Sequence, residues 1–375
     1  MKQSGNEAPL TIRDVALHAG VSRATASRAL SDYGVVHAET REKVQNSALV
    51  LGYVPNVLAR SMRAGKTQTL GLIITEVGLS VFDLAMRAVI EAAHRKGYQV
   101  LVANTNEDLA AERDSVRVML EKQVDGVILV PSAVDDLAFI SPSSLKGKPM
   151  TLLDRTLDSL DIPSVTADNR NGAREALRHL LAKGHTRIGF VVVTANIRGE
   201  TAERPEGLVS TLHDRVEGYL SGMDEAGLAV DDGWLRFAAD GGEAARRAVR
   251  NALDCAVPPT ALLASNANVS LAILSVAKER GLIVGTDLSV IGFDDAPWAP
   301  VVTPGLTVVD LPIEAMAEAA VQNLVAQISD GGSGSATDGQ IPAGGRARES
   351  VVLPMRLIVR GSVSDIRSTG TSENA

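Results

Sequence analysis

The chain holds a single cysteine, Cys255, so no intrachain disulfide can form and packing has to hold the fold. The residue falls on an expected helix and reads as a packed thiol. Aromatic residues are scarce at 3%, which leaves aliphatic side chains to build the cores that a 45% apolar content allows. No apolar run approaches the length of a membrane span. The opening MKQSGNEAPL has neither an apolar stretch nor a cleavage signal, so no export is expected and the cytoplasm is the expected compartment. Catalytic signals are also missing. No G-x-x-x-x-G-K-[ST] phosphate loop exists, and Gly241-Gly242 follows no expected strand directly. There is no nucleophile elbow, and His179 and His185 flank a helix end at a spacing unsuited to a shared metal. These absences argue against an enzyme, and neither metal nor cofactor is expected.

What is present begins with length and uneven charge. At 375 residues the chain is too long for one small core and suits two or three domains. The net charge is −8, yet residues 1–66 hold nine Lys/Arg against five acids, a net of +4 that leaves −12 for the remainder. A basic head on an acidic body suits a protein whose head alone meets phosphate.

That head centres on Thr11 to Leu30, TIRDVALHAGVSRATASRAL, which reads as two short helices joined by a tight turn. Thr11 is placed to cap the first helix, with Asp14 three residues on. Ile12, Val15 and Ala16 form one apolar face, and Gly20 suits the left-handed turn that ends the helix. Ser22 is placed to cap the second helix, whose Ala26, Ala29 and Leu30 face back on the first. Its outer face then carries Arg23, Thr25, Ser27 and Arg28, side chains of the kind that read base edges and grip phosphates. The same pattern also suits an ordinary helical hairpin with a solvated basic face. A third helix, ETREKVQNSALVLGY, follows, and then Val54-Pro55-Asn56 and a short run to Met62.

The series TIRDVA..AGVS.AT.SR.L, TR.KV, LGY.PN and A..M..GKT resembles the DNA-binding headpiece and hinge of the lactose-repressor family of bacterial regulators. The resemblance is gapless over the first sixty-odd residues and continues in order to about residue 363. It implies a helix-turn-helix headpiece over 1–55 and a hinge helix and linker over 56–68. It also implies DNA contacts from Thr11, Ser22, Arg23, Ala24, Thr25, Ser27, Arg28, Asn56, Ala59 and Met62. In the family the hinge helix orders on operator DNA and pushes an apolar residue, usually Leu, into the minor groove; here Met62 holds that position. A helix of seven residues is too short to be stable alone, which suits folding coupled to binding.

From Leu70 strands and helices alternate. LGLIIT, YQVLVA, DGVILV and MTLL read as strands between helices over 82–96 and 111–122. A second series has helices over 171–183, 214–226, 243–253 and 269–280 among the strands IGFVVV, ALLA and LSVIGF. This rhythm implies parallel sheets covered on both faces. The resemblance implies a periplasmic-binding-protein-like domain over 69–363: two doubly wound parallel-sheet lobes, joined by three crossings. Lobe 1 is expected over about 69–167 and 305–330, taking LTVVD and the helix from Ile313; lobe 2 over about 168–304 and 349–363, taking VVLPMRLIV. Asn196 to Gly207 and Ser329 to Arg348 read as loose, and 364–375 as a disordered tail.

Parallel sheets bind ligands beyond the carboxyl ends of their strands. Asp154, Asn266 and Asp294 stand at such ends, and Arg215 opens a helix after the long loop. Each matches a family position that faces the cleft and contacts effector, and Phe82 is a further candidate contact. Each residue also has a structural reading, such as Asp294 capping a turn or Asp154 pairing with Arg155. The chain departs from the family's sugar-binding pattern in three places. Gly78-Leu79-Ser80-Val81-Phe82 stands where an Asn and two aromatics are frequent, Ala267 where Asp is usual, and Gly241 where a pocket aromatic is frequent. Either Phe82 and Trp298 compensate, or the effector is a smaller, less hydroxylated or anionic metabolite.

The expected function is a DNA-binding transcriptional regulator, a repressor whose affinity for palindromic double-stranded operator DNA is set by a sugar or related metabolite. No leucine heptad follows the body, so a homodimer is expected rather than a tetramer, with no membrane partner. The alternatives are a cytoplasmic metabolite-binding protein that no longer reads DNA, and an effector-dependent activator.

Overall fold

A computed structural model describes residues 10–31, 36–53, 66–78, 80–132, 135–195, 197–239, 241–331 and 349–366. The chain divides into two units, residues 1–67 and 68–375.

The smaller unit contains α1 (Ile12–His18), α2 (Arg23–Ser31) and α3 (Ala38–Leu51). Its core is built from small side chains: Val15, Ala16, Ala19, Ala26, Ala29, Val44 and Ala48 are all buried together. Alanine at five of these seven places lets the helices approach closely despite their shortness. The turn from α1 to α2 passes through Gly20 at φ +64°, a conformation that side chains with a Cβ resist. The hinge positions Asn56, Ala59 and Met62 lie outside the described residues, as does most of the stretch from Ser329 to Arg348.

In the larger unit, the first sheet contains β1 (Thr69–Ile74), β2 (Gln99–Asn104), β3 (Gly126–Leu129), β4 (Met150–Leu153), β5 (Ser164–Ala167) and β12 (Val351–Leu353), in the order β12-β5-β4-β3-β1-β2 and all parallel. Helices α4 (Ser80–Arg95) and α10 (Ile313–Gly331) cover one face and α5 (Leu109–Glu121) the other. Along β1, Leu70, Leu72 and Ile74 enter the first core and Ile73 the second. A strand buried on both faces therefore reads as a continuous apolar run rather than an alternating one.

The second sheet contains β6 (Ile188–Thr194), β7 (Glu200–Thr201), β8 (Leu235–Ala239), β9 (Ala261–Ala264), β10 (Ser289–Phe293), β11 (Thr307–Asp310) and β13 (Arg356–Ile358), in the order β13-β11-β10-β9-β6-β8-β7. Its five central strands are parallel, and β13 and β7 close the edges antiparallel. Helices α6 (Asn169–Ala182) and α7 (Ser210–Glu225) pack on one face, α8 (Gly242–Leu253) and α9 (Ala267–Glu279) on the other.

Several expectations need correction. LTVVD belongs to the second sheet, because Thr307–Val309 pair with Ile291–Phe293 of β10. The crossing follows at Leu311-Pro312, where proline has no N–H to extend a ladder. VVLPMRLIV does not join one lobe. Pro354 splits it, so Val351–Leu353 extend the first sheet and Arg356–Ile358 the second. The first crossing passes through Asp168 alone, between β5 and α6. Strands β5 and β8 were missed by sequence, and β8 ends at Ala239, just ahead of Gly241-Gly242. The stretch after Asn196 is not wholly irregular, since Glu200 and Thr201 pair with Ala238 and Phe237. The tail is held further than expected. The Ser364 amide donates to Ser289 Oγ at 3.0 Å and the Ile366 amide to the Lys183 carbonyl at 3.0 Å; residues 367–375 lie outside the described residues.

Helices α6 and α7 meet most closely at Gly218. A methyl group there would come within 2.3 Å of the Arg170 carbonyl oxygen and 2.8 Å of Ala173 Cβ. Gly218→Ala should lower stability by about 1–3 kcal/mol through overpacking. The buried Trp234 in the same core gives a fluorescence readout of the urea midpoint; an unchanged midpoint would show that the helix pair yields without cost.

Candidate functional site

The carboxyl ends of both sheets open on one cleft. From the first lobe it is lined by Glu76, Phe82, Glu107, Ser132, Asp154 and Arg155; from the second by Thr194, Thr211, Arg215, Ser265, Asn266 and Asp294. Asp154 follows β4 and Asp294 follows β10, and both adopt a left-handed backbone, φ +68° and φ +71°. Each amide donates to the next strand of its own sheet, Asp154 to the Val165 carbonyl at 2.9 Å and Asp294 to the Val309 carbonyl at 3.0 Å. The same strained turn thus projects an aspartate into the cleft from either lobe, and such strain concentrates at functional sites.

Arg215 is 3% exposed. It lies in the second turn of α7, which starts at Ser210, rather than opening the helix as expected. Its Nε donates to Asn169 Oδ1 at 2.8 Å, and its Nη1 donates to the Ser265 carbonyl. Its Nη2 is 3.8 Å from Asp294 Oδ1, and the guanidinium stacks on the Phe293 ring at 4.2 Å. Burial lowers the Arg215 pKa, opposed by Asp294 and Asp154. Burial pushes Asp294 up to about 6, against the pull of Arg215 and with the help of Asp154. Asn266 caps α9, its side chain accepting from the Val269 amide at 2.9 Å, and the residue also lines the cleft.

Sequence reasoning missed the first-lobe wall. Arg155 forms a two-pronged pair with Glu107, Nη1 to Oε2 at 2.9 Å and Nη2 to Oε1 at 2.7 Å, and also donates to the Pro131 carbonyl at 2.6 Å. Burial works against its charge, but Glu107, Asp154 and Glu112 together outweigh it and the Arg155 pKa is raised. Asp154 is only a distant partner, 3.8 Å from Arg155 Nε. Behind the wall, Glu112 is fully buried and accepts from the Ser132 amide at 2.6 Å, and burial raises its pKa. Glu107 stands in a turn 48 residues before Arg155, and no local pattern announces such a pair. Trp298 packs among the apolar residues of the second lobe and is absent from the residues lining the cleft. Phe82, 6% exposed, is the aromatic in that lining. Gly241 has φ +119°, a conformation that disfavours an aromatic side chain at that place.

On the headpiece, the Thr11 amide and hydroxyl both donate to Asp14 Oδ2, at 2.8 and 2.7 Å. Ser22 Oγ accepts from the Thr25 amide at 3.1 Å and contacts Thr25 Oγ1 at 2.8 Å. Those hydroxyls therefore set the helix ends. Arg23, Ala24 and Arg28 are exposed along α2, and Thr25 and Ser27 are half-buried beside them. Arg28 Nε is held at 3.3 Å from the Ala24 carbonyl, which extends the side chain along the helix face.

The Asp294 shift has a consequence for stability. The folded state holds this proton up to about pH 6, against 3.8 for an ordinary aspartate. Stability from this group is therefore full below about pH 4, falls as pH rises through about 6, and is level above that. Asp294→Asn removes the effect. Its stability relative to the wild type should rise between pH 4 and 7 by on the order of 1–3 kcal/mol in urea titrations. A difference that does not change with pH would mean the carboxylate ionises normally in the fold.

Comparison with known proteins agrees with this geometry. Residues 11–56 match the family of bacterial regulatory proteins, lacI family, and residues 177–363 match the periplasmic binding protein-like domain. The chain is 30% identical over 366 residues to the HTH-type transcriptional regulator DegA of Bacillus subtilis, covering 96% of this chain and 99% of that protein. It is 30% identical over 362 residues to the HTH-type transcriptional repressor CytR of Escherichia coli K12, covering 96% and 98%. The crystal structure of the Lac repressor bound to ONPG superposes with a TM-score of 0.77 at 26% identity, over 95% of this chain and 100% of that one. Among the described residues no helix is long and apolar enough to cross a membrane. These relatives are transcriptional regulators rather than enzymes, and the chain belongs to the lacI family of bacterial regulatory proteins.

Proposed function

We propose that the protein is a homodimeric repressor that acts in the cytoplasm, where each headpiece takes one half-site of a palindromic operator and a small metabolite in the cleft sets operator affinity. The observation that carries the reading is the convergence of Asp154, Arg215, Asn266 and Asp294, with Phe82, on one cleft at the strand ends of both lobes. The exposed Arg23, Ala24 and Arg28 of α2, with Thr25 and Ser27 beside them, are the side chains that enter the major groove. Thr11 and Ser22 hold the helix ends against the phosphates, and Asn56, Ala59 and Met62 act in the central minor groove. Residues 1–55 serve as headpiece, 56–68 as hinge and linker, and the larger unit as effector and dimerisation domain. The effector, a sugar or related metabolite, changes operator affinity only as far as it prefers one lobe arrangement over another.

The reading is tested by selecting duplexes from a random pool with the purified full-length protein. A palindrome should emerge. Arg28→Ala should weaken binding to it by about 1–3 kcal/mol if the residue reads a base, and affinity should fall steeply with salt. Binding without sequence preference would instead favour a metabolite-binding protein whose head no longer reads DNA. A reporter driven from the selected site, with and without the gene, separates repression from activation.

A further inference from the structure

The hydrogen-bonding groups of the cleft are unequally spent. Both guanidinium groups are largely taken by the protein, Arg155 keeping only Nε without a partner and Arg215 only Nη2, which lies 3.8 Å from Asp294 Oδ1. Arg155 gives its terminal nitrogens to Glu107 and the Pro131 carbonyl, and Arg215 gives Nε and Nη1 to Asn169 and Ser265. One face of Arg215 is covered by Phe293. Neither offers the open fork that a phosphate or carboxylate needs. Two cleft hydroxyls are engaged too: Thr211 Oγ1 donates to the Asp154 carbonyl at 3.0 Å and Ser132 Oγ pairs with Thr105 Oγ1 at 2.9 Å, while Ser265 Oγ accepts from the Val193 amide at 3.1 Å and keeps its own O–H.

The acceptors are in excess. The carboxylates of Glu107, Asp154 and Asp294 stand in the lining against the two guanidinium groups. Glu107 is matched by Arg155. Asp154 and Asp294 each reach an arginine nitrogen only at 3.8 Å, beyond hydrogen-bond length. Asp154 is 7% exposed, and its buried Oδ1 has no partner. A buried carboxylate oxygen without a donor is costly. A neutral hydroxyl would supply the donor and leave the excess negative charge buried, whereas an ammonium supplies the donor and offsets the charge.

We propose that the effector carries a protonated amine that donates to Asp154 Oδ1, on a hydroxylated frame: an amino sugar or amino polyol, not a phosphorylated or carboxylated metabolite. This rests on the cleft being the effector site. It replaces the smaller, less hydroxylated or anionic metabolite that the departures from the family's sugar-binding pattern suggested.

The test uses the full-length protein and matched sets of probes: glucose, glucosamine and glucose 6-phosphate; and sorbitol, its 1-amino-1-deoxy counterpart and sorbitol 6-phosphate. Each is added at about 10 mM in a thermal-shift series and the hits are measured by calorimetry. The amino member of a set should bind about tenfold or more tightly than its neutral partner, with no binding by the phosphate. Asp154→Asn should bring the amino and neutral members level. Asn tolerates the left-handed backbone at this position, so the variant keeps the turn, and circular dichroism checks the fold. Equal or tighter binding by a neutral or phosphorylated member, no binding by either amino member, or an amine preference that survives in Asp154→Asn overturns the proposal. Arg215→Ala separates the two levels. Neutral probes that bind the wild type and are lost in this variant leave the cleft reading standing while the amine falls. Amino probes that bind it unchanged mean the cleft is not the site.

Discussion

The buried guanidinium of Arg215 is the constraint on which the cleft depends. At 3% exposure its charge has to be met from within the protein. The groups that meet it come from separate places in the chain: Asn169 from the start of α6, Ser265 from the end of β9, and Phe293 and Asp294 from the end of β10. The strand ends, the start of α6 and α7 are therefore held to one another by a single side chain. Asn169 also donates to the Ala167 carbonyl at 3.0 Å, which ties the guanidinium to the last residue of β5 in the other lobe. A group bound beside Arg215 acts on the link between the lobes as well as on the walls of the cleft.

The lobes are also joined across the cleft mouth. The Thr211 hydroxyl reaches the Asp154 carbonyl at 3.0 Å, and the Thr156 amide reaches Ser210 Oγ at 2.8 Å. Both bonds run from the loop after β4 to the first turn of α7. The three covalent crossings are short, passing through Asp168, Leu311-Pro312 and Pro354-Met355. Short crossings restrict the lobes to a hinge-like change, and the hydrogen bonds at the mouth are what such a change would make or break. The two strained aspartates stand on either side of it, one from each sheet, so a ligand that satisfies both has different contacts when the lobes are apart and when they are together. Differential contact of this kind is what couples occupancy to conformation.

The headpiece follows a separate logic. Its core of valines and alanines shares no residue with the lobe cores. The larger unit is net acidic, while residues 1–66 are net basic at +4, so attraction to nucleic acid is confined to the small unit and the rest resists non-specific adhesion. The capping bonds of Thr11 and Ser22 fix the ends of two short helices that have little length with which to stabilise themselves.

Local chemistry explains what was legible in the sequence. The headpiece helices, the central strands of both sheets and the positions of Asp154, Asn266 and Asp294 at strand ends follow from apolar periodicity, glycine turns and the parallel-sheet rule, each of which acts within a few residues. The strands that escaped notice, SVTA and LRFAA, are short and mix small or charged residues with apolar ones, so they become strands through their neighbours in the sheet. The lobe to which LTVVD belongs, the division of VVLPMRLIV at Pro354, and the anchoring of Ser364 to Ile366 were decided by pairing partners distant in the chain. The same holds for the cleft. The sequence by itself determined which residues stand at the strand ends. Only the tertiary structure decided that Arg155 is taken by Glu107, that Arg215 is taken by Asn169 and Ser265, and that Asp154 is left with an unpartnered oxygen. Hydrogen bonds are settled by which groups burial brings together, and burial depends on the whole fold.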